Sequence, residues 1–432
     1  MKKRTAFLLA LALIGTSVAP LSQTGLLNMT SIVASAASTY GDFEYTSTSA
    51  GVTITGYKGK GGEVQIPDYI NGKKVTTIAS DAFKYNKKIT SFKFGYYVTT
   101  VQDWAFYNCS GLKSITLNEN LSTDLSGGYL FNGCDALEQI NMPYAMKDPS
   151  FVFHFKYLDC FPKFVRQETD KRVERVYQEI KSKNPSINWN LSSLSGKDRE
   201  KAKYEIAKCI HSKLGGNASN NNVYIRYIST AEETSPFALV TGKGTCAGQS
   251  SAYVLLLLKA GFNLSEVDII GAPQHQLAGV KLWDQWYLVE CTNNDSKSFG
   301  MHHNTDGWYK AGTYNAVKAI NSKEDLYTCV YKYRLKNGSY ATELNANTQA
   351  FLSSKYGKAN GGANPNVDEY ARGDINMDGV VDVFDLSMLK KYLTGNYTNN
   401  MNLVNCDFNF DGKIDNNDLT SLTRFLHGYT TY

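Results

Sequence analysis

Two acidic loops of one pattern, 33 residues apart, constrain this chain of 432 residues more than any other feature. The segments are GDINMDGVVDVFDLSMLKKYL from Gly373 and NCDFNFDGKIDNNDLTSLTRFL from Asn405. In the first, Asp374, Asn376, Asp378, Asp382 and Asp385 stand at loop positions 1, 3, 5, 9 and 12. Asp407, Asn409, Asp411, Asp415 and Asp418 repeat that set. Oxygen donors at this spacing wrap a hard cation of Ca²⁺ size, and the position-7 carbonyls of Val380 and Lys413 complete the sphere. Gly379 and Gly412 take position 6, where the chain must turn sharply. A single such stretch reads as a solvated acidic loop. Two full copies predict two bound Ca²⁺.

The residues after each loop repeat as well. Leu386, Leu389, Tyr392 and Leu393 correspond to Leu419, Leu422, Phe425 and Leu426, an apolar stripe on each of two helices. Neither helix is long enough to stay folded alone, so the stripes should pack on each other with the ions as clamps. No helix leads into either loop, and position 12 is Asp rather than Glu. The segment 373–432 therefore resembles a dockerin of type I, a small all-α module that plugs cellulosomal proteins into cohesins on a scaffoldin. The resemblance implies two Ca²⁺, a cohesin partner and a place in a cellulosome. Val383 and Phe384 follow the ninth position of the first loop, where the second has Asn416 and Asn417. An exposed Val-Phe pair implies one dominant cohesin-facing surface; Phe384 in the core is the alternative.

At the other end, Lys2, Lys3 and Arg4 precede the apolar run AFLLALALIG, and small residues around Ala34, Ser35 and Ala36 offer a cleavage site. Residues 1–37 read as a secretory signal peptide, because the run is too short to span a bilayer. No later stretch is long enough to cross, and no C-terminal anchor is expected. Removing the leader lowers the formal charge from +5 to +2, with 42 basic residues facing 40 acidic ones. A near-neutral mature chain gives no case for nucleic-acid or membrane-surface binding. The expected location is extracellular.

Eight cysteines in a secreted chain suggest disulfides, but their spacing does not form a framework. ASDAFKYNKKITSFKF, DWAFYNCSGLKSITL and GGYLFNGCDALEQINM align on Phe83, Phe106 and Phe131, which places Cys109 and Cys134 at one repeat position. A cysteine recurring in register is a small buried side chain stacked turn on turn. The repeats resemble the leucine-rich repeats of bacterial surface proteins, with Ile115 and Leu117 as strand residues. They predict a short β-solenoid over 38–148, acting as spacer or binding surface, with His154 beyond it structural.

Residues 149–344 are enough for one buried domain. Val173, Val176, Tyr177 and Ile180 form one helical stripe, and Ile206 and Ile210 turn inward on a second run over 198–214. In TGKGTCAGQSSAYVLLLLKAGF, Gly242 and Gly244 release the chain into a helix that starts at Cys246, carries Leu255 to Leu258 through the core and stops at Gly261. A cysteine at a helix N-terminus meets unpaired N–H groups and the positive end of the macrodipole, which favour a thiolate. Tight packing of a small residue explains the same placement without chemistry. Downstream, HQLAGVKLWDQWYLVECT reads as two strands joined near Trp283, Asp284 and Gln285. With a two-residue turn, His275 and Glu290 share a face and Cys291 points to the other. A histidine and a carboxylate so placed form a base with its orienting partner.

These segments together resemble the transglutaminase-like superfamily, related to papain-type cysteine peptidases, over roughly residues 171–333. Gly244-Thr245-Cys246 matches the nucleophile motif, His275 the base, and the strand from Trp286 to Thr292 the acid strand. Two features depart from the family pattern: Glu290 replaces Asp, and Gln249, Ser250 and Gln276 to Ala278 replace its usual neighbours. The resemblance implies acyl transfer, with Cys246 as nucleophile, His275 as base and acid, and Glu290 orienting the imidazole. Hydrolysis by a cysteine peptidase or amidase is favoured over protein cross-linking. A domain that kept the fold, lost the chemistry and serves adhesion is the competing class. His302 and His303 read as surface residues, Cys209 and His211 as facing different ways, and Cys160, Cys329 and Cys406 as unpartnered by spacing. Residues 345–372, rich in Asn, Gly, Ala and Ser, read as a flexible linker. The whole predicts a multidomain protein: β-solenoid, α+β thiol domain and all-α calcium module.

Overall fold

The computed structural model describes residues 37–122, 129–216, 223–228, 234–272, 275–294, 299–301, 316–318, 322–327, 333–334, 340–341, 373–376, 380–396, 401–409, 411 and 413–427. Residues 1–36 of the leader and the whole linker lie outside them, as do Asp378, Gly379, Gly412, His302, His303 and Cys329.

The repeats begin with a meander of β1 (Ser38–Tyr40), β2 (Phe43–Ser47) and β3 (Val52–Tyr57). In β3 every second residue is buried, as a half-solvated strand requires. Beyond it come β4 (Gly62–Gln65), β5 (Tyr69–Ile70), β6 (Lys73–Ile78), β7 (Ile89–Lys93), β8 (Thr100–Val101), β9 (Ser114–Thr116) and β10 (Gln139–Asn141). Strands β4, β7, β9 and β10 stack in parallel, one strand per turn of a solenoid. Ile115 lies in β9 and Leu117 is buried just after it. Inside, Phe83 stacks on Phe106 and Phe106 on Phe131, each pair at 5.2 Å, and the ladder continues to Phe155 at 4.3 Å. Cys109 and Cys134 are buried beside it, their thiols donating to the carbonyls of Phe83 and Phe106 in the preceding turn.

The middle segment is built on α1 (Phe161–Lys183), α2 (Gly196–Leu214), α3 (Ala238–Thr241) and α4 (Cys246–Lys259). Strands β11 (Gly215–Gly216), β12 (Ile225–Tyr227) and β13 (Lys243–Gly244) form a small parallel sheet leading into α4. A larger antiparallel sheet takes the order β17 (Phe299–Met301), β16 (Gln285–Val289), β15 (His275–Leu282), β14 (Val267–Ala272), β18 (Ala316–Lys318). Helix α4 is buried from Gly248 to Leu257, with α1, α2 and α3 against it as well as the sheet. The β15–β16 hairpin turns at Trp283 and Asp284, both at positive φ (45° and 65°) as a two-residue turn of this hand demands. Its tip is fixed to α2: the Trp283 N–H donates to Glu200 (2.6 Å), and Glu200 and Glu266 hold the buried Lys203.

The C-terminal module has α5 (Val383–Leu393), α6 (Leu403–Cys406) and α7 (Asn416–Leu426), with α5 packed on α7. Each long helix starts on a capping box made of its own loop residues. Asp382 caps the Phe384 N–H (2.7 Å) while Asp385 accepts from Asp382 N (2.9 Å); Asp415 and Asp418 do the same in the second copy. Loop positions 9 and 12 thus also cap the helix that follows each loop. Leu389 and Leu422 are fully buried, whereas Val383 and Phe384 are 65% and 67% exposed, so Phe384 is not a core residue. Met401, Leu403, Val404 and Cys406 are buried in one continuous core with the middle segment.

Candidate active site

Three elements bring Cys246, His275 and Glu290 together. Cys246 opens α4, because Gly242 adopts a left-handed φ of 72° and lets the chain leave α3 and turn into β13. Helix and sheet are then tied by the residues that departed from the family pattern. Ser250 Oγ donates to the Gln276 carbonyl (3.1 Å), and Gln276 Nε2 donates back to the Ala247 carbonyl (3.1 Å). Gln249, fully buried, donates to the Ile225 carbonyl (2.9 Å) and anchors α4 to β12. Ser250 and Gln276 thus fix the first turn of α4 against the strand that begins at His275.

In the hairpin, Ala278 pairs with Val289 and Leu282 with Gln285, which sets His275 and Glu290 two residues off direct register on one face. His275 Nε2 is hydrogen-bonded to Glu290 Oε2, and Cys246 lies close enough to the imidazole to act on its protonation. The other carboxylate oxygen of Glu290 accepts from the Thr292 N–H (2.7 Å) and hydroxyl (2.6 Å). Its backbone carbonyl is bonded to His211 Nε2 of α2 (2.9 Å). The extra methylene relative to Asp is thus absorbed by a carboxylate held at both oxygens.

The electrostatics follow from these bonds. Burial disfavours the imidazolium, but the hydrogen bonds and charges of Cys246 and Glu290 outweigh it and raise the His275 pKa to about 10. Burial likewise works against the Glu290 carboxylate, yet His275 and Thr292 hold its pKa below the ordinary value. Cys291 lies on the opposite face, 2% exposed, with burial pushing its thiol well up, while Cys246 is half-exposed. Gly215 packs so closely that a Cβ there would meet the Cys291 carbonyl at 1.9 Å. Of the neighbouring Cys246 and Cys291, Cys246 is the accessible thiol.

Sequence reasoning did not find His211, Thr292 or Tyr227. Tyr227 lies on β12 opposite Gly244, and burial, then the charges of Cys246 and Glu290, raise its phenol pKa. Only the folded register places it beside the thiol. His154 packs edge-on against Phe151, and Cys209 is half-buried on α2.

In the two acidic loops, Asp374 and Asp407 are 4% exposed and Asp385 and Asp418 fully buried. Asp385 Oδ1 accepts from Ile375 N (2.7 Å) and Asn376 N (3.0 Å), and Asp418 Oδ1 from Asn409 N (3.1 Å). Burial, then Asp382, raises the Asp385 pKa; burial, Asp407 and Asp411 raise that of Asp418. Buried carboxylates that repel one another in a loop of oxygen donors fit a hard divalent cation. Among the described residues, which leave out Asp378, no three His, Cys, Asp or Glu side chains already converge on one point.

Comparison with known families and structures matches both ends of the chain. The pattern of the BspA type leucine rich repeat region occurs in six copies over residues 63–158, and that of the dockerin type I domain over residues 372–427. The chain thus carries a BspA-type repeat region and a type I dockerin domain. Among solved structures, a leucine-rich repeat protein of T. pallidum is 27% identical (TM-score 0.23; 26% of this chain, 52% of that one). One from Bacteroides ovatus is 29% identical (TM-score 0.22; 25% and 30%). A leucine-rich cell surface protein of Faecalibacterium prausnitzii is 18% identical (TM-score 0.19; 26% and 44%). The chain spans about half or less of the length of these three structures. No curated protein matches it. Neither family match covers residues 159–371, so a transglutaminase-like reading of the middle rests on its own residues. No helix among the described residues is long and apolar enough to cross a membrane.

Proposed function

We propose that the protein is a secreted, cellulosome-associated thiol acyl-transfer enzyme, a cysteine peptidase or amidase of transglutaminase-like type. The observation that carries this reading is the His275–Glu290 hydrogen bond beside Cys246, whose thiol stands at the start of a buried helix. Its dockerin holds two Ca²⁺, one by Asp374, Asn376, Asp378, Val380, Asp382 and Asp385, the other by Asp407, Asn409, Asp411, Lys413, Asp415 and Asp418. Through that module the chain docks on a scaffoldin cohesin, with the exposed Val383 and Phe384 in the contact face. The repeat region serves as a spacer or surface-binding arm.

The Cys246 thiolate attacks an amide carbonyl carbon, forming the C–S bond while the carbonyl π pair moves to oxygen. The Cys246 N–H, free at a helix N-terminus, helps hold that oxyanion. Collapse breaks the C–N bond, and the His275 imidazolium gives its proton to the leaving amine. His275 then takes a proton from water, which attacks the thioester; the C–S bond breaks and the carboxylic acid leaves. Glu290 balances the imidazolium throughout and fixes its tautomer.

Intact-mass analysis after exposure to a set of activated peptide esters tests this reading. An acyl adduct that maps to Cys246, decays in water and is missing from Cys246→Ala is expected. Adducts equal in the wild type and Cys246→Ala contradict it, and leave an adhesion protein with a retained fold. Decay that needs an added lysine amine rather than water assigns cross-linking instead of hydrolysis.

A further inference from the structure

The asparagines that close the dockerin onto the middle segment also hold the entry of the first acidic loop. Asn405 accepts the Gly373 N–H on its backbone carbonyl (3.0 Å) and donates from Nδ2 to the Asp374 carbonyl (2.6 Å). Its Oδ1 accepts from the Tyr287 hydroxyl (3.4 Å). Asn402 donates its backbone N–H to the Ile375 carbonyl (2.9 Å) and its Nδ2 to the Tyr287 oxygen. Tyr287, Asn402 and Asn405 are all fully buried. One phenol is therefore clamped between two asparagines that also bond the residues around loop position 1, Asn402 by its backbone and Asn405 by backbone and side chain.

Tyr287 lies on β16, three residues before Glu290, and pairs with Val280 of the strand that begins at His275. A second route runs beside it, since α6 packs on α2 and His211 of α2 is bonded to the Glu290 carbonyl. A buried hydrogen-bond cluster has one good geometry and is costly to leave half-made. Small calcium modules lose order when their ion leaves, because the ion supplies much of their folding free energy.

We propose that the first calcium loop acts as a clamp on the β15–β16 hairpin, so that Ca²⁺ binding orders the strand leading to Glu290. The proposal rests on the calcium reading of the dockerin and holds whether or not Cys246 is a nucleophile. Loading the loop fixes residues 373–376, then Asn402 and Asn405, then Tyr287. Emptying it releases Tyr287 in a site where its hydroxyl has lost both amide partners.

Amide hydrogen exchange on the full chain tests this, with Ca²⁺ or with a chelator, in the wild type and in Tyr287→Phe. In the wild type, chelation should speed exchange in residues 401–409 and also in residues 285–289, the latter by a factor of about 5–30. In Tyr287→Phe the calcium response of 401–409 should persist, while that of 285–289 falls away. Asn402→Ala provides the same comparison from the dockerin side if Tyr287→Phe does not fold. A wild-type response confined to the dockerin overturns the clamp and leaves calcium binding intact. No response in either segment overturns both.

Discussion

At its N-terminal side the middle segment meets the repeats through aromatic rings, and at its C-terminal side the apolar contact with the dockerin encloses a buried hydroxyl and two amides. Phe237 is fully buried, with Phe153 at 6.1 Å and Phe164 at 6.2 Å, and belongs to the core of the repeats. Such a joint is held by area and shape, tolerates small shifts and responds little to ions or pH. The Tyr287–Asn402–Asn405 joint has one good geometry and is costly when half-made. Both joints bury apolar side chains, and the second adds register. Only the second reaches the strand that carries the candidate site.

The largest effect should come from breaking the apolar joint. Phe237→Ala removes a buried ring from between two others and should cost about 3–5 kcal/mol of unfolding free energy, read by urea titration. Calcium response of the dockerin should be unchanged. A cost under about 1 kcal/mol would mean that the two units barely depend on each other.

Glu290→Gln acts between the joints and should cost about 1.5–3 kcal/mol near pH 6. The sign follows from both shifts. The raised His275 pKa contributes fully below its ordinary 6.5 and is lost as pH rises through about 10. The lowered Glu290 pKa contributes above its ordinary 4.5 and is lost as pH falls through its depressed folded value. The gap between wild type and variant should therefore be widest between 4.5 and 6.5 and narrow on either side. A gap that does not change with pH would mean the two groups are not an ion pair.

Asn402→Ala breaks the polar joint and should cost about 1–3 kcal/mol in calcium, since it strips one partner from a buried phenol. The loss should shrink under chelation, where the clamp is already open. An equal loss in both conditions would make the joint as insensitive to ions as the aromatic one. Phe384→Ala should change stability by no more than about 0.5 kcal/mol, because the ring is exposed. Binding to a cohesin, measured by calorimetry, should weaken instead.

What could be read from the sequence follows how local each signal is. The calcium loops show in single stretches because their oxygen donors sit within twelve positions. The hairpin parity of His275 and Glu290 shows because a two-residue turn fixes which positions share a face. Phe83, Phe106 and Phe131 show because repeats recur in register, but Phe155 extends their ladder from outside the repeat pattern. The polar joint does not show, because Tyr287 finds Asn402 and Asn405 across 115 and 118 residues of chain. Asparagines in a polar stretch look solvated until the fold buries them. Gln249 and Ser250, which depart from the family pattern, are ties that seat α4, and no local pattern shows that role.

The central claim, an activated thiol at Cys246, is tested most directly by iodoacetamide labelling across pH, located by peptide mass analysis, in wild type and His275→Ala. The account predicts fast labelling at Cys246 that persists well below pH about 8.5, where an ordinary thiol slows, and that drops in the variant. Slow labelling in both proteins, rising only near that pH, would contradict it and make the middle segment a binding module borne by the dockerin.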